Sequence, residues 1–332
     1  MPSETKITYK DAGVDIHAAA DVVDEIGALR ARTEKNRKLH SAFGLFAAAY
    51  DLSALSEPII VTGCDGVGTK IELLLKHGML AEAGKDLVAM NVNDVLTTGM
   101  DPILFLDYVA IPKIDQNQIK QVIEGIVAYC ESCDCILAGG ETAEMPGLVP
   151  EGGIEMSGFC IGAGEKRDLI DPSKVAAGDV LVGYPSDGFH ANGWSLVRRI
   201  LSERANDFSE SEIISLLAPT RLYHDVITGQ KSAGVAAKAH AHITGGGIPE
   251  NLKRVTGALG AKLQLPTWEN PPAQKVLESV EFDEATWTFN MGYGWVTAVA
   301  PEQADAALTV VDGARVLGEV SDETDEIRIE AS

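Results

Sequence analysis

The chain has 332 residues, of which 49 are Asp or Glu and 27 are Lys or Arg, so its formal net charge at pH 7 is −22. This length allows two domains with a core each, and 45% hydrophobic residues with 33 glycines are typical of a soluble α/β protein. Such an acidic chain repels nucleic acid phosphate, which excludes a general DNA- or RNA-binding protein.

Targeting signals and structural cysteine chemistry are not indicated by the sequence. No apolar run approaches the ~18 residues needed to span a membrane. The start, Met1 to Lys6, lacks an apolar segment behind a basic start, which predicts a cytoplasmic protein without a secretory signal. The odd number of cysteines, 5, argues against a disulfide framework. Cys130, Cys133 and Cys135 have a spacing that zinc could use, but no second Cys or His pair lies nearby, and we expect small core side chains.

The first half of the sequence alternates strand-like and helix-like stretches. A helix is predicted from Asp86, a possible cap, to Leu96, and an amphipathic helix from Gln116 to Cys130. Strands are predicted at Pro58 to Thr62, Ile103 to Ala110, from Ile136 onward, and Glu155 to Gly164.

The pattern restarts after a turn near Asp168. Here strands are predicted at Gly178 to Tyr184 and Thr297 to Val299, and helices at Trp194 to Ala205 and near Pro301 to Leu308. We therefore predict two domains, residues 1–168 and 169–332. The fold class predicted is α/β (α+β), with a mixed α/β domain followed by an α+β domain.

The segment Gly63 to Lys70 follows the first predicted strand and has some features of a phosphate-binding loop. Its glycines have P-loop spacing, but Thr69 precedes Lys70 and Asp65 lies inside the loop, where it would repel bare phosphate. The segment is either an Asp-Gly turn, or a site where Asp65 binds Mg²⁺ while Lys70 and backbone amides contact phosphate.

Two further acids lie beside predicted buried elements. Asp94 shares a helix face with Asn91, three residues earlier, and this polar stripe must face water or a ligand. Glu141 lies in the stretch Gly139 to Gly147, GGETAEMPG, which we interpret as an acidic turn. Asp65, Asp94 and Glu141 could converge on Mg²⁺ ions that bridge nucleotide phosphates. Glu144 either faces substrate or holds the turn.

Two glycine-containing segments of the second half suggest anion sites. Ser186 to Gly193 opens a predicted helix, where free N–H groups attract anions, and it includes His190, which could stabilise charge, move a proton or merely pack. Thr244, followed by three glycines, repeats this arrangement and is a candidate pocket for substrate phosphate.

Together these segments resemble one family, phosphoribosylformylglycinamidine cyclo-ligase, also called aminoimidazole ribonucleotide synthetase. The similar stretches run in the family's order over nearly the whole chain. They are Tyr9 to Ile16, Asp65 to Lys70, Leu87 to Met90 with Asn93-Asp94, Phe105 to Tyr108, GGETAEMPG, Ser157 to Cys160, His190 to Gly193 with Ser195 to Arg198, Ala218 to Arg221, His242 to Gly247, and Thr288 to Gly294.

The resemblance implies a purine-pathway enzyme that uses ATP to cyclise formylglycinamidine ribonucleotide to 5-aminoimidazole ribonucleotide through an iminophosphate. It implies ATP and Mg²⁺ as cofactors, with a need for K⁺ left open, and a homodimer formed through the N-terminal sheet. The implied roles are catalysis for His190, Asp94 and Lys70; ATP or phosphate binding for Asp65, Gly66, Gly68, Thr69, Lys70, Asn93, Gly140, Thr142 and Asn192; metal binding for Asp65, Asp94 and Glu141; and substrate binding for His190, Asn192, Thr244, Gly245, Gly246 and Gly247.

The sequence departs from the family pattern at a few positions. A glycine-rich run is usual near Leu39 to Gly44, but only Gly44 remains, His17 replaces a common Asp, and Asp187 falls in a usual Ser-Gly. The alternative is a nucleotide-binding paralogue or regulator with altered catalysis. Sister families fit less well, because selenophosphate synthetase needs a Cys before Cys64 and the hydrogenase-maturation relative needs a C-terminal Cys.

Overall fold

The computed structural model describes residues 26–35, 39–40 and 46–331, and these form two halves, each built on its own β-sheet. The stretch Tyr9 to Ile16, His17 and most of the departing loop at 39–44 lie outside the described residues. No helix among the described residues is both long and apolar enough to cross a membrane.

The N-terminal half carries a four-stranded mixed sheet with helices on one face. Its order is β1-β4-β2-β3, with only the β2–β3 pair parallel. The elements are β1 (Pro58–Gly66), α1 (Lys70–Lys76), α2 (Leu80–Leu96), β2 (Asp101–Ile111), α3 (Gln116–Ser132), β3 (Ile136–Glu144) and β4 (Glu155–Glu165). Asp115 is the N-cap of helix α3, and its side chain accepts hydrogen bonds from the backbone N–H groups of Asn117 and Gln118; the apolar stripe of the helix is buried.

The C-terminal half carries a six-stranded sheet in the order β10-β7-β9-β5-β8-β6, in which only the β10–β7 pair is parallel. The elements are β5 (Val180–Pro185), α4 (Trp194–Glu203), α5 (Glu210–Leu216), α6 (His224–Ala233), β6 (Ala237–His242), α7 (Gly247–Thr256), β7 (Gly260–Leu265), α8 (Pro271–Leu277), α9 (Phe282–Thr288), β8 (Tyr293–Val299), α10 (Ala304–Leu308), β9 (Arg315–Ser321) and β10 (Ile327–Ala331).

The predicted fold class is confirmed, whereas two local predictions are wrong. Helix α2 begins at Leu80, so Asp86 lies inside the helix and is not its cap. The segment GGETAE is part of strand β3, and the chain turns only at the following Pro146 and Gly147. In both cases the helix or strand is longer than the apolar run from which it was predicted, because tertiary packing extends it. The cysteines at 130, 133 and 135 are buried, as expected for small core side chains.

A fully buried ion pair joins the two halves. Lys70 on α1 and Asp86 on α2 are each 0% exposed, and Lys70 Nζ lies 2.7 Å from Asp86 Oδ2. The C-terminal half supplies the remaining partners: Thr220 donates its backbone N–H and its hydroxyl to Asp86 Oδ1, and Lys70 donates to the carbonyl of Ala218. Buried charges are tolerated only when their hydrogen-bonding capacity is met, so residues 218–220 must stay seated against α2.

Removing one member of this pair should destabilise the protein strongly. We expect Lys70→Met to lower the free energy of unfolding by about 3–5 kcal/mol, because it leaves Asp86 charged and buried. Urea unfolding followed by fluorescence measures the change. The matched control is Lys76→Met, at an exposed position of the same helix, which should change stability by less than about 0.5 kcal/mol. Equal stabilities for the two variants would contradict the role given to the pair.

Candidate active site

Asp65 is positioned by a buried asparagine of the helix behind it. It lies near the end of β1, and its backbone N–H donates to Asn91 Oδ1 at 2.8 Å, while Asn91 Nδ2 donates to the carbonyls of Leu87 and Asp65. The side-chain amide of Asn91 is therefore buried and hydrogen-bonded to the backbone of β1 and of its own helix, so it neither faces water nor is free to bind a ligand. One Asp65 carboxylate oxygen accepts the N–H of Gly66 at 2.7 Å.

Asp94, on the same helix, is oriented from the other half of the chain. Asn93 Oδ1 accepts from the backbone N–H of Tyr223, so its Nδ2 must be the group that donates to the Arg221 carbonyl and approaches His242 Nε2, 3.3 Å away. Because Nε2 of His242 therefore accepts, its Nδ1 carries the proton and donates to Asp94 Oδ1 at 2.9 Å. This chain of hydrogen bonds sets the direction of the half-exposed Asp94 carboxylate.

Asp65 and Asp94 act on each other electrostatically. Burial raises the pKa of Asp65, and the nearby negative charge of Asp94 raises it further, against the opposing effect of the hydrogen bond from the Gly66 N–H. Two carboxylates that disfavour each other's charge suit a divalent cation, and Mg²⁺ in phosphate sites is often held by one or two carboxylates plus substrate oxygens. These residues therefore fit the predicted metal.

Glu141 is not part of the same cluster within one chain. It is exposed on β3, three strand spacings from β1, which places it on the order of 14 Å from Asp65 across the sheet. The predicted convergence of Asp65, Asp94 and Glu141 on shared ions is therefore not found among the described residues, where no group of three metal-binding side chains occurs. The strand order, which the sequence does not reveal, separates them.

A buried acid that the sequence analysis did not select lies in the middle of this sheet. Asp107 on β2 pairs in register with Gly140 on β3 and with Gly158 on β4, and Gly158 in turn pairs with Asp65. Burial raises the pKa of Asp107 to about 7, and Glu141 contributes in the same direction. A side chain at Gly140 would collide with the Asp107 carboxylate, so this glycine makes room for the acid and its predicted phosphate contact has no support here. The signal in the sequence was a single acid inside an otherwise apolar strand.

Two residues predicted to contact phosphate are occupied elsewhere. Lys70 is buried in its ion pair with Asp86, and all polar side-chain atoms of Asn93 are used at the junction of the halves. The catalytic and phosphate roles of Lys70, and the phosphate role of Asn93, are corrected to structural ones on these contacts. Thr69 stays exposed, and its hydroxyl lies 3.2 Å from that of Ser195 at the start of α4. Gly66 ends β1, and Gly68 lies in the turn that leads from β1 to α1.

His190 has an unusual environment. Its backbone adopts a left-handed conformation with φ of 60°, held by Trp194, whose indole donates to the His190 carbonyl at 2.6 Å. The side chain is fully buried, packs near Tyr223, and has no hydrogen-bond partner for either ring nitrogen among the described residues. Burial keeps the pKa of His190 well below its usual range, and the positive charges of Lys70 and Arg221 add to the effect. A strained, unpartnered histidine is characteristic of a functional site.

The glycine segment after β6 is held in shape by a residue that the sequence analysis did not select. Asn251 on α7 donates to the carbonyls of Thr244, Gly245 and Gly247, the last at 2.8 Å. Gly246 and Gly247 have φ of 86° and 59°, and Gly247 leaves no room for a side chain against α9. Asn192 lies close to Gly245, so two of the predicted substrate elements are brought together.

Within GGETAEMPG, Glu144 has a structural hydrogen bond, whereas Thr142 remains partly accessible. Glu144 Oε1 accepts the backbone N–H of Ile114 at 2.7 Å, which resolves its role in favour of holding the chain. Thr142 is half-buried on β3 opposite Val109, and its contact with ATP or phosphate stays a prediction.

The two halves define a class of protein. Residues 47–163 match the family described as AIR synthase related protein, N-terminal domain, and residues 176–330 match the corresponding C-terminal domain. The fold is also similar to solved structures: a hydrogenase maturation protein HypE in complex with ATP (TM-score 0.71, 15% identity, 97% of this chain and 94% of that one) and a thiamine-monophosphate kinase from Stenotrophomonas maltophilia (TM-score 0.66, 16% identity, 91% and 94%).

Sequence relatives narrow the class further. The chain is 41% identical to a phosphoribosylformylglycinamidine cyclo-ligase of Sorangium cellulosum over 95% of both chains. It is 43% identical to one of Gloeobacter violaceus, over 90% of this chain and 91% of the relative. The chain belongs to the phosphoribosylformylglycinamidine cyclo-ligase family.

The buried Asp107 carboxyl should make stability depend on pH. Its folded-state pKa of about 7 exceeds the value of ~3.9 in an unfolded chain, so the folded state binds the proton more tightly and loses stability as pH rises from about 4 to 7. Relative to wild type, Asp107→Asn should gain up to about 4 kcal/mol above pH 7 and nothing below pH 4. Urea unfolding at pH 5 and pH 8 measures the difference.

The control for this experiment is Asp168→Asn, at an exposed position, where the difference from wild type should stay near zero at both pH values. An unchanged difference for Asp107→Asn between pH 5 and pH 8 would show that this carboxyl does not titrate as described.

Proposed function

We propose that this chain is an ATP-dependent ligase that converts formylglycinamidine ribonucleotide to 5-aminoimidazole ribonucleotide, with release of ADP and phosphate, in purine biosynthesis. The observation that carries the proposal is the similarity to cyclo-ligases over 90% or more of both chains. The junction between the halves supports it, because Asp65, Asp94, His190 and the glycine segment lie around it on elements locked together by hydrogen bonds.

The reaction requires an amide oxygen to leave, which it does very poorly unless it is first activated. In the proposed mechanism this oxygen attacks the γ-phosphorus of ATP and ADP departs, which forms an iminophosphate. A nitrogen of the same substrate then adds to the activated carbon, and the C–O bond breaks to release phosphate. Such chemistry depends on positioning and charge neutralisation more than on a protein nucleophile.

We assign the metal site to Asp65 and Asp94. When bound there, Mg²⁺ would neutralise charge on the nucleotide phosphates. The protein's own contribution is to hold both carboxylates in place, Asp65 through Asn91 and Asp94 through His242. Within one chain Glu141 lies beside Asp107 on the edge strand β3 of the same sheet, and its metal-binding role stays a prediction, as does a requirement for K⁺.

His190 is the residue we propose to contact the reacting part of the substrate. The neutral imidazole can donate from one nitrogen and accept at the other, and neither is engaged by the described residues. Both nitrogens are inaccessible in the structure described, so a substrate that reaches them when the segment around His190 rearranges would supply the missing partner and remove the cost of an unsatisfied buried group. The adjacent Asn192 and the segment Thr244 to Gly247 would hold the ribose phosphate through amide and backbone N–H groups.

We further propose a cytoplasmic homodimer formed through the N-terminal sheet, with residues 1–168 binding ATP and residues 169–332 covering nucleotide and substrate. The sheet face opposite α2 and α3 exposes apolar side chains, including Ile60 (56% exposed) and Phe159 (42%). An exposed apolar sheet face is a marker of an interaction surface.

The direct test of function supplies purified protein with formylglycinamidine ribonucleotide, ATP and Mg²⁺ and follows aminoimidazole ribonucleotide by its diazotised dye. We expect ATP-dependent product formation. Asp65→Asn should lower kcat at least 100-fold without unfolding, because it removes a charge needed by the cation, whereas the exposed Asp168→Asn should retain activity. Firm ATP binding by a protein that forms no product would refute the proposal and favour a regulator.

Dimerisation has a separate test. Phe159→Glu should shift the protein from dimer to monomer in sedimentation equilibrium at micromolar concentration, because a charge in the middle of an apolar interface is left without a partner. Val316→Glu, a comparably exposed apolar position on the other sheet (48%), should leave the dimer intact. A Phe159→Glu protein that remains dimeric would place the interface on another surface.

A further inference from the structure

A second cavity lies between the halves, at the opposite end of β6 from His242. Its volume is about 830 Å³, and its walls come from the start of β2, the segment 167–174, α6, β6 and the turn after β8. Volumes of this size are typical of sites that enclose a small organic ligand. None of the residues assigned above to nucleotide, metal or substrate lines this cavity.

The cavity floor contains a glutamine whose orientation is determined by its partners. Tyr184 donates its hydroxyl to the carbonyl of Ala307 at 3.0 Å and therefore has no proton left to give. The Gln230 atom 2.8 Å from this hydroxyl must then be the amide nitrogen, which acts as donor. The carbonyl oxygen Oε1 of Gln230 consequently points the other way, and no described residue donates to it.

The same network fixes the protonation of His240. Thr297 Oγ1 accepts from the amide of Gln230 at 3.0 Å and from the indole of Trp295 at 3.3 Å. Its own proton must therefore go to Nδ1 of His240, 3.0 Å away. The proton of the neutral imidazole is then on Nε2, and burial, which lowers the pKa of His240 to about 3, keeps the ring neutral at physiological pH.

Two polar atoms of this network remain open to the cavity. Gln230 and His240 are both more than nine-tenths buried, and both line it. Neither Gln230 Oε1 nor His240 Nε2 is bonded to a described residue, yet neither is among the sealed, unpartnered atoms of the described chain, so the cavity is the space they face. The floor thus presents one acceptor and one N–H donor on side chains that meet at the same hydroxyl.

The charged side chains that line the cavity show no excess of either sign, since Arg167, Lys174, Lys231 and Lys238 are matched in number by Asp101, Asp168, Asp171 and Glu302. Lys231 pairs with Asp101 at 3.0 Å across the two halves, and Lys238 pairs with Asp179 at 2.6 Å. Met100, Ile227 and Val235 contribute apolar side chains, and Arg167, Asp168, Asp171, Lys174 and Glu302 are exposed lining residues. A wall of this kind favours an uncharged ligand with a flat apolar body over a phosphate or a carboxylate.

We propose that this cavity binds an uncharged, nucleoside-sized heterocycle whose edge carries a hydrogen-bond acceptor beside an N–H donor. The acceptor pairs with Nε2–H of His240 and the donor with Oε1 of Gln230. Because walls from both halves enclose the ligand, its binding also ties the halves together and stabilises the folded chain.

Adenosine is the probe that tests this site, because its ring nitrogen and amino group form such an edge. Calorimetric titration is carried out on protein saturated with a non-hydrolysable ATP analogue and Mg²⁺, so that the nucleotide site is filled. We expect one saturable adenosine site per chain. Purine riboside, which lacks the amino group, should bind at least tenfold more weakly, since Gln230 Oε1 is left unpaired.

A variant at the cavity mouth locates the binding. Ala236 lines the exposed entrance, so Ala236→Phe should fill it and abolish adenosine binding. The control is Ala233→Phe, exposed at the end of α6 and outside the lining, which should bind as wild type does. The proposal is overturned if wild type shows no saturable binding, if purine riboside binds equally well, or if Ala236→Phe retains the site.

Discussion

The rest of the structure depends on the cost of burying the charges of Lys70 and Asp86. Each is inaccessible to water, so both must be satisfied inside the protein, and the groups that do so belong to residues 218–220 of the other half. With that segment seated on α2, Tyr223 reaches Asn93, and Asn93 in turn fixes the ring of His242. The orientation of Asp94 is therefore the last link in a chain that begins with a structural ion pair.

Local features of the site could be predicted from the sequence, but their convergence could not. The apolar runs located β1, β2, α3, β4 and the second part of α2, and the polar residues near the ends of β1 and α2 identified Asp65 and Asp94. Strand order is a non-local property, and it places β4 and β2 between β1 and β3. The position of three acids beside buried elements thus suggested that Glu141 would lie near Asp65 and Asp94. Within one chain, the strand order instead places Glu141 on the order of 14 Å from Asp65.

Polar residues near a site are ambiguous for a related reason. A lysine or asparagine beside a glycine turn suits a phosphate ligand, and it suits a buried network equally well. The partners that decide the matter for Lys70 and Asn93 lie 148 and 128 residues further along the chain. Asp107 was overlooked because its strand was correctly predicted as buried, and a buried acid becomes informative only when the groups around it are known.

Residues 218–223 hold the two halves together through Lys70, Asp86 and Asn93, and this clamp limits how substrate can enter the site between the halves. Contacts between the halves occur both at this clamp and beside the second cavity, where Lys231 meets Asp101. A hinge that opened the halves as rigid bodies would have to expose a bare ion pair at one side and break a salt bridge at the other. Access to the buried ring of His190 must then come from rearrangement of short segments such as the one around it, where the left-handed backbone of His190 is strained. Turnover in this enzyme would accordingly be gated by a loop, with the two halves as its fixed frame.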